Sequence, residues 1–251
     1  MDSAIDRPAA LVTGAATGVG RAVAIRLAEA GYDVAVNYSR SEEEAKETLA
    51  LVQGTGVRGL LLKCDVSDDA GVRGMAAEIE RTFGRLDILI NNAATTFFIE
   101  HKHLEELTEE KWDRILDVNL KGPFFVTRAC VPLLKKSPQA AVVNVSSVAG
   151  FVGWGSSIAY CASKGGLNTM TKSLARALAP EIRVNAVCPG PIDTRWLRKW
   201  MSDEKIESMV AEYPIPRAAQ PEDIADTVCY LAIGTTLTTG QCLIVDGGRT
   251  M

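Results

Sequence analysis

The sequence predicts an α/β fold, in which helices flank both faces of a seven-stranded parallel sheet. Short apolar segments of strand length alternate with longer segments of helical periodicity through the 251 residues, which is the pattern of βαβ units. A glycine-rich turn joins the first of these strands to the first helix. No linker, repeat or shift in composition interrupts the series, so we expect a single domain over residues 1–251.

The expected elements follow one another in order. Strands are predicted at residues 9–13, 33–37, 59–65, 86–91, 140–146, 182–188 and 241–246. Helices are predicted at about residues 18–30, 41–53, 68–83, 108–136, 158–179 and 222–233. The crossovers between parallel strands are right-handed, and the strand order of such a doubly wound, Rossmann-type sheet reverses near its middle. The ligand crevice is therefore expected at the carboxyl ends of the strands.

The turn after the first predicted strand contains Gly14, Gly18 and Gly20 in the spacing G-x-x-x-G-x-G. The first glycine permits a tight turn, the second allows the backbone to approach a diphosphate, and the third allows the helix to pack closely. The N–H groups of a helix that begins near Gly18 would face the phosphates. We therefore predict a dinucleotide site. The alternative, an ordinary βα turn, is disfavoured by the position of the motif in the first strand–helix unit.

Tyr160 and Lys164 are four residues apart in a predicted helix, and Ser147 follows the predicted strand before it. Side chains at positions i and i+4 share a helix face, and a neighbouring ammonium lowers the pKa of a phenol. A tyrosine with a lowered pKa serves as a general acid or base near neutral pH. The hydroxyl of Ser147 can hydrogen-bond a substrate carbonyl or alcohol. The alternative is an unreactive Tyr–Lys pair on the surface.

The composition argues against several kinds of partner. The net charge is −4 and no basic patch stands out, so we expect no nucleic-acid partner. No apolar run could span a bilayer and residues 1–8 hold no signal-peptide core, so we expect no membrane association and a cytoplasmic location. The six cysteines are scattered through apolar segments and are expected to be reduced. His101 and His103 have no cysteine nearby to complete a set of ligands, so no metal site is expected.

Residues 194–216 interrupt the alternation of strands and helices. This segment is amphipathic and aromatic, and it follows a strand end, where the crevice should lie. It is a candidate substrate lid. The alternative is a surface helix without a gating role.

Together these motifs resemble those of the short-chain dehydrogenase/reductase family, over residues 8–248. Ala94 stands where the family commonly has glycine. Within the family, the similarity is highest to the 3-oxoacyl-[acyl-carrier-protein] reductases. The motifs that carry the resemblance are Thr13–Gly20, Cys64–Val66, Asn91–Ala94, Val118–Leu120, Ser147, Tyr160 with Lys164, Pro189–Gly190 and Val245–Gly248.

The resemblance implies an oxidoreductase with a nicotinamide dinucleotide cofactor, and it implies catalytic roles. Tyr160 would be the general acid in reduction and the general base in oxidation. Lys164 would lower the pKa of Tyr160 and hold the nicotinamide ribose. Ser147 would orient the reacting oxygen, and Asn119 would hold a water that links Lys164 to bulk solvent.

The same resemblance implies cofactor contacts along the crevice. Asp65 and Val66 would meet the adenine, and Thr194 would bind the carboxamide. The full set of implied cofactor-binding residues is Gly14, Thr17, Gly18, Val19, Gly20, Asp65, Val66, Asn91, Ala93, Tyr160, Lys164, Pro189, Gly190, Ile192 and Thr194.

Charge at the end of the second predicted strand distinguishes the two nicotinamide cofactors. A carboxylate there binds a ribose 2′-hydroxyl, whereas an arginine accommodates a 2′-phosphate. The strand is followed by Ser39, Arg40 and Ser41, without an acid at the expected place. We therefore predict that NADP(H) is preferred, with NAD(H) as the alternative. The run Glu42–Glu44 could pair with Arg40 and weaken it, or could instead complement the dipole of the next helix.

Aromatic and apolar residues in the loops near the crevice suggest a partly apolar substrate pocket; they are Phe97, Phe98, Phe151, Val152, Trp154, Trp196 and Trp200. The leading substrate class is 3-oxoacyl thioesters, and the alternative is small ketones, sugars or polyols. Reductases that act on an acidic carrier protein resemble one another in having basic residues near the mouth of the site. The comparable positions here, about Pro138 and Glu181, are not basic, which argues against a carrier-protein partner, although Lys135 and Lys136 could compensate.

A hypothesis of another class is a catalytically silent dinucleotide-binding sensor. The presence of all four residues of the implied catalytic set argues against it. The resemblance also implies a homotetramer, in which helices 108–136 and 158–179 pair across one two-fold axis and the last helix and strand across another. A dimer is the alternative.

Overall fold

Seven parallel strands form one sheet in the computed structural model, which describes residues 7–251. The strand order is β3-β2-β1-β4-β5-β6-β7, so the winding direction reverses between β1 and β4. The predicted α/β fold is confirmed, with each predicted strand found within two residues of its expected bounds. The strands are β1 Ala9–Val12, β2 Asp33–Tyr38, β3 Gly59–Lys63, β4 Ile88–Asn91, β5 Ala140–Val145, β6 Ile182–Pro189 and β7 Cys242–Val245.

Helices connect the strands and cover the sheet on both faces. They are α1 Gly18–Glu29, α2 Glu42–Gly54, α3 Asp69–Phe83, α4 Glu109–Leu116, α5 Gly122–Leu134, α6 Ala149–Val152, α7 Ile158–Leu178, α8 Arg195–Arg198, α9 Asp203–Val210 and α10 Pro221–Ile233. Leu104–Glu106 forms a 3₁₀ turn. None of the helices within residues 7–251 is long and apolar enough to cross a membrane.

The helix predicted at 108–136 is divided by a π-helical segment, Asp117–Lys121, between α4 and α5. Pro123 is the cause we identify, because it has no N–H to donate to the carbonyl of Asn119 four residues earlier. The helix widens where that hydrogen bond is missing. Asn119 is placed in this segment, with its side chain fully buried.

Two apolar layers enclose the sheet. One contains Val23 and Leu27 of α1 and Val228 of α10, packed against strands including β1 and β2. The other contains Ile79 of α3 and Leu134 of α5, packed against the opposite face. The central strands β1, β2, β4 and β5 are buried throughout, which explains why they read as continuous apolar runs rather than as alternating ones.

The start of α7 is fixed by Ser157, whose hydroxyl accepts a hydrogen bond from the backbone N–H of Tyr160 at 3.2 Å. A serine at this position supplies an acceptor to one of the N–H groups that a helix leaves unpaired in its first turn. The cap therefore sets the position of Tyr160 at the amino end of α7, where the helix meets the carboxyl end of β5.

Candidate active site

A cleft of about 1970 Å³ lies at the carboxyl ends of the strands, around the point where the winding reverses. Most of the residues predicted for the site line it, although they come from distant parts of the chain. The predicted residues found on its walls are Gly14, Thr17, Gly18, Val19, Ser39, Arg40, Asp65, Val66, Ala93, Ser147, Tyr160, Lys164, Pro189, Gly190, Ile192 and Thr194.

Four predicted residues are not among those that line the cleft; they are Gly20, Ser41, Asn91 and Asn119. The placement of Asn91 corrects the sequence-based expectation that it lines the cofactor channel. Its side-chain amide is buried and donates to Asn144 Oδ1 at 2.9 Å and to Thr127 Oγ1 at 3.1 Å. Asn91 therefore ties β4 to β5 and α5, and the following residue, Asn92, faces the cleft.

The glycine-rich turn is too crowded for side chains at two positions. Gly14 has a φ of 62°, and a Cβ on it would lie 2.9 Å from Ala93 Cα. A Cβ on Gly20 would lie 2.4 Å from the carbonyl oxygen of Gly14. The backbone of the turn and the amino end of α1 thus form the cleft wall directly, which suits a dinucleotide diphosphate.

Three polar residues to which the sequence analysis gave no role hold this turn in place. Thr13 Oγ1 accepts from the backbone N–H groups of Asn92 and Ala93, at 2.9 and 3.0 Å. The side-chain amide of Asn92 donates to the carbonyls of Thr13 and Gly14. The buried Asn37 accepts from the N–H of Gly14 and donates to Leu62 and Cys64. Polar side chains at the ends of otherwise apolar strands are the sequence signal that could have identified them.

Tyr160 and Ser147 meet at the floor of the cleft. Ser147 lies two residues after β5 ends at Val145, and its Oγ accepts from the N–H of Ala149 at 3.1 Å. Burial raises the pKa of Tyr160 to about 12, and a hydrogen bond with Ser147 acts in the opposite direction. The prediction of a lowered phenol pKa is therefore wrong for the chain by itself, because burial raises the pKa by more than the hydrogen bond with Ser147 lowers it.

Lys164 lies beneath Tyr160 and is only 2% exposed. Its Nζ donates to the carbonyl oxygen of Val145 at 2.8 Å and lies 5.7 Å from the centroid of the Tyr160 ring. Burial lowers the pKa of Lys164 to about 8. The lysine, rather than the tyrosine, is therefore the group of this pair that titrates close to neutral pH.

Asn119 is held through both ends of its side-chain amide. Its Oδ1 accepts from the N–H of Thr95 at 2.8 Å, and its Nδ2 donates to the Thr95 carbonyl at 2.9 Å and to Ser163 Oγ at 3.2 Å. These contacts join the π-helical segment to α7 one residue before Lys164.

The acidic run after Arg40 does not pair with it. Glu42 pairs with Lys46 and Lys63, Glu43 pairs with Lys46, and Glu44 pairs with Arg195. Within residues 7–251, no ion pair of Arg40 is found, and its side chain lines the cleft beside Ser39.

Asp65, at the adenine end of the predicted site, is also engaged. Its Oδ1 accepts from the backbone and hydroxyl of Ser67, and its Oδ2 accepts from Arg114 at 2.7 Å. Burial raises the pKa of Asp65, but the hydrogen bonds from Ser67 and Arg114 outweigh burial and hold the pKa below its ordinary value.

The segment predicted as a lid contains α8 and α9 and forms much of the remaining cleft wall. The ring of Trp196 meets Tyr160 edge-on, with centroids 6.3 Å apart. Trp200 stacks on Phe98 at 4.6 Å. Phe98, Trp154 and Trp196 line the cleft, whereas Phe97, Phe151, Val152 and Trp200 lie outside its walls.

The two lysines considered for a carrier-protein contact are both paired. Lys135 lies 3.8 Å from Glu181, and Lys136 lies 2.9 Å from Glu80. Their charges are therefore partly compensated on the surface of the chain itself.

Comparison with known proteins places this geometry among oxidoreductases. A family model described as enoyl-(acyl carrier protein) reductase matches residues 14–250. The chain is 42% identical to a protein assigned as ketoacyl reductase 2 of the granaticin polyketide synthase of Streptomyces violaceoruber, over 97% of the chain and 96% of that protein. It is 41% identical to a 3-oxoacyl-[acyl-carrier-protein] reductase of Staphylococcus aureus, over 96% of the chain and 98% of the relative.

A solved structure agrees with these sequence relatives. The crystal structure of a protein assigned as a short-chain dehydrogenase/reductase, from Burkholderia xenovorans, matches with a TM-score of 0.91 and 38% sequence identity. The match covers 96% of this chain and 97% of the other.

The crowding at Gly20 leads to a stability prediction. Gly20→Ala is expected to lower the free energy of unfolding by about 1–3 kcal/mol, because the added methyl group has no room beside the Gly14 carbonyl. Gly74→Ala is the matched control, since a Cβ there meets no atom within 4 Å in the interior of α3 and should stabilise the helix by up to about 1 kcal/mol. Urea unfolding measures both; equal effects of the two substitutions would contradict the crowded turn.

Proposed function

The chain belongs to the short-chain dehydrogenase/reductase family, and we propose that it uses NADPH to reduce the carbonyl of 3-oxoacyl thioesters. Membership of the family makes it an oxidoreductase of CH–OH groups that uses a nicotinamide cofactor. The observation that carries the proposal is the arrangement of Ser147, Tyr160 and the buried Lys164 at the floor of one cleft.

The residues of the cleft fit a nicotinamide dinucleotide. The turn at Gly14 and the amino end of α1 would hold the diphosphate, and Thr194, which lies close to Gly18, would hold the carboxamide. The bound cofactor would supply the hydride, and the protein would supply orientation, a proton and electrostatic stabilisation.

Tyr160 would give its proton to the carbonyl oxygen as that oxygen gains negative charge. Its pKa of about 12 keeps the phenol protonated at neutral pH, so the acid is present before reaction. Ser147 would donate a second hydrogen bond to the same oxygen and fix its position. Two donors converging on one oxygen suit the reduction of C=O better than the reduction of C=C.

Lys164 would return the proton to the site. An ammonium next to a forming phenolate stabilises it, and a pKa of about 8 allows the lysine to exchange protons near neutral pH. A water on the carbonyl of Asn119, which Pro123 leaves without its helical partner, would connect this ammonium to solvent.

The choice of NADPH rests on the mouth of the cleft beyond β2. Ser39 and Arg40 line the cleft there, and the acids Glu42, Glu43 and Glu44 pair with other cations. Arg40 is thus free to bind a ribose 2′-phosphate, which a planar guanidinium does well.

The substrate class rests on the relatives and on the cleft. Two relatives carry names that state ketoacyl or 3-oxoacyl reduction. The aromatic wall formed by Phe98, Trp154 and Trp196 suits an acyl chain. Small ketones, sugars and polyols are the alternative substrates, and the compensated charges of Lys135 and Lys136 favour a small thioester over a docked acidic protein.

The first experiment is NADPH oxidation with an acetoacetyl thioester, run beside a crotonyl thioester and a panel of simple ketones, diketones and quinones. We expect turnover of the acetoacetyl thioester, and we expect Tyr160→Phe to lose at least about 100-fold in turnover while still binding NADPH. Turnover on free carbonyls alone would favour the alternative substrate class. Binding of NADPH without turnover on any of these substrates would favour a silent dinucleotide sensor, and turnover that Tyr160→Phe leaves unchanged would contradict the role of Tyr160.

Exposed apolar residues support the proposed homotetramer. Tyr230 and Ile233 of α10 and Leu243 and Ile244 of β7 are each at least 40% exposed, as is Phe124 of α5. These residues lie on the elements expected at the two kinds of two-fold interface. Static light scattering is expected to give four times the chain mass of 26.9 kDa. A monomer mass would contradict the tetramer. A dimer mass would mean that only one of the two kinds of interface forms.

A further inference from the structure

One ion pair links the lid to the end of the cleft proposed for the ribose phosphate. Arg195, the first residue of α8, donates to a carboxylate oxygen of Glu44 and, at 2.9 Å, to the hydroxyl of Ser41. Both partners lie at the amino end of α2; Glu44 is 151 residues and Ser41 is 154 residues away in sequence from Arg195. Arg195 and Arg40 both line the cleft.

The setting of Ser41 shows that its hydroxyl is not used by its own helix. Ser41 is at the cap position of α2, yet its side chain makes no capping hydrogen bond. It accepts from the guanidinium of Arg195 instead. The guanidinium is thus within one hydrogen bond of a residue that the sequence predicts to contact a 2′-phosphate.

The carboxylate of Glu44, with which Arg195 pairs, is an anion that a phosphate group could replace. Glu44 is about one-third exposed, with a side-chain accessibility of 35%, so its carboxylate can return to water. The hydrogen bond from Arg195 holds the pKa of Glu44 below its ordinary value, so the carboxylate is ionised at neutral pH. Exposed ion pairs of this type contribute little to stability and exchange readily.

We propose that Arg195 is a second ligand of the 2′-phosphate, reaching it from the lid side of the cleft, and that Glu44 holds the guanidinium in position until the phosphate arrives. The proposal rests on the proposed use of NADPH. The dianionic 2′-phosphate would take the hydrogen bond that Glu44 now accepts from Arg195, close to Ser41 and Arg40.

The location of Arg195 gives this contact a second consequence. Arg195 directly follows Thr194, whose Cγ2 would lie 3.6 Å from a Cβ placed on Gly18 at the start of α1. A phosphate bound to Arg195 would therefore fix the beginning of the lid segment over the diphosphate site. NADPH, but not NADH, would hold α8 in this way.

Calorimetric titration of the purified full-length chain with NADPH and with NADH tests the proposal without reference to turnover. Arg195→Met is expected to weaken NADPH binding roughly tenfold or more, because a charged hydrogen-bonded contact is lost. Its NADH binding should stay within about twofold of wild type, since NADH has no 2′-phosphate to lose a contact. Arg195→Gln is a second variant with a polar side chain.

Two further variants test whether Arg195 binds the phosphate or whether its ion pair with Glu44 only holds the cleft closed. Glu44→Gln removes the competing charge and is expected to strengthen NADPH binding by about two- to fivefold. If the ion pair serves only to close the cleft, Glu44→Gln should weaken the binding of both cofactors instead. Arg198→Met is the matched control on α8, because Arg198 pairs with Asp193 and Asp203; its ratio of NADPH to NADH affinity should equal that of wild type.

The failures of the two proposals are distinguishable. If wild type prefers NADPH and Arg195→Met keeps that preference, the role of Arg195 is wrong and the proposed function stands. If wild type binds NADH as tightly as NADPH, the assignment of NADPH is wrong and the role of Arg195 is overturned with it.

Discussion

The buried ammonium of Lys164 is the constraint on which the site depends. Removing such a charge from water costs several kcal/mol, and here the carbonyl of Val145, at 2.8 Å, offsets part of that cost. The part of the desolvation cost that is not offset lowers the pKa of Lys164 to about 8. A cation held in this way against the main chain at the end of β5 cannot move far. Tyr160, one helical turn earlier on α7, is fixed relative to it.

The sheet brings Ser147 and the wall for a diphosphate to the same edge as Lys164, at the carboxyl ends of the strands. β5 supplies Val145 for the lysine and leads directly to Ser147, while the crowded turn after β1 supplies a wall of bare backbone for a diphosphate. Both lie where the winding of the sheet reverses, which opens a crevice between the helices of its two faces. The lid adds aromatic surface and a cation, Arg195, from a segment that the sheet does not constrain.

Much of this could be predicted from the sequence, because the period of apolar residues and the glycine spacing are local signals. The strands, the turn at Gly14 and the pairing of Tyr160 with Lys164 on one helix face follow from such signals. The errors concern effects that depend on the assembled fold. The pKa of Tyr160 is raised because tertiary packing buries the phenol, and Asn91 faces Asn144 because the register of two strands puts them side by side. The pairing of Glu44 with Arg195 joins residues far apart in sequence, so no local pattern could reveal it.

We infer that the ionisation of Lys164, rather than that of Tyr160, would set the pH dependence of reduction. The pH profile of kcat/KM for NADPH tests this inference, because it reports the ionisations of the free enzyme. Because burial lowers the pKa of Lys164 to about 8, the active protonated lysine is lost as the pH rises through that value. We therefore expect a flat profile below about pH 7.5 and a tenfold fall in kcat/KM per pH unit well above 8. Lys164→Arg, which keeps the charge to much higher pH, should retain a weaker activity without this fall. A wild-type profile that stays flat to pH 10 would show that Lys164 does not set the pH dependence of reduction. The same fall in Lys164→Arg would show this as well.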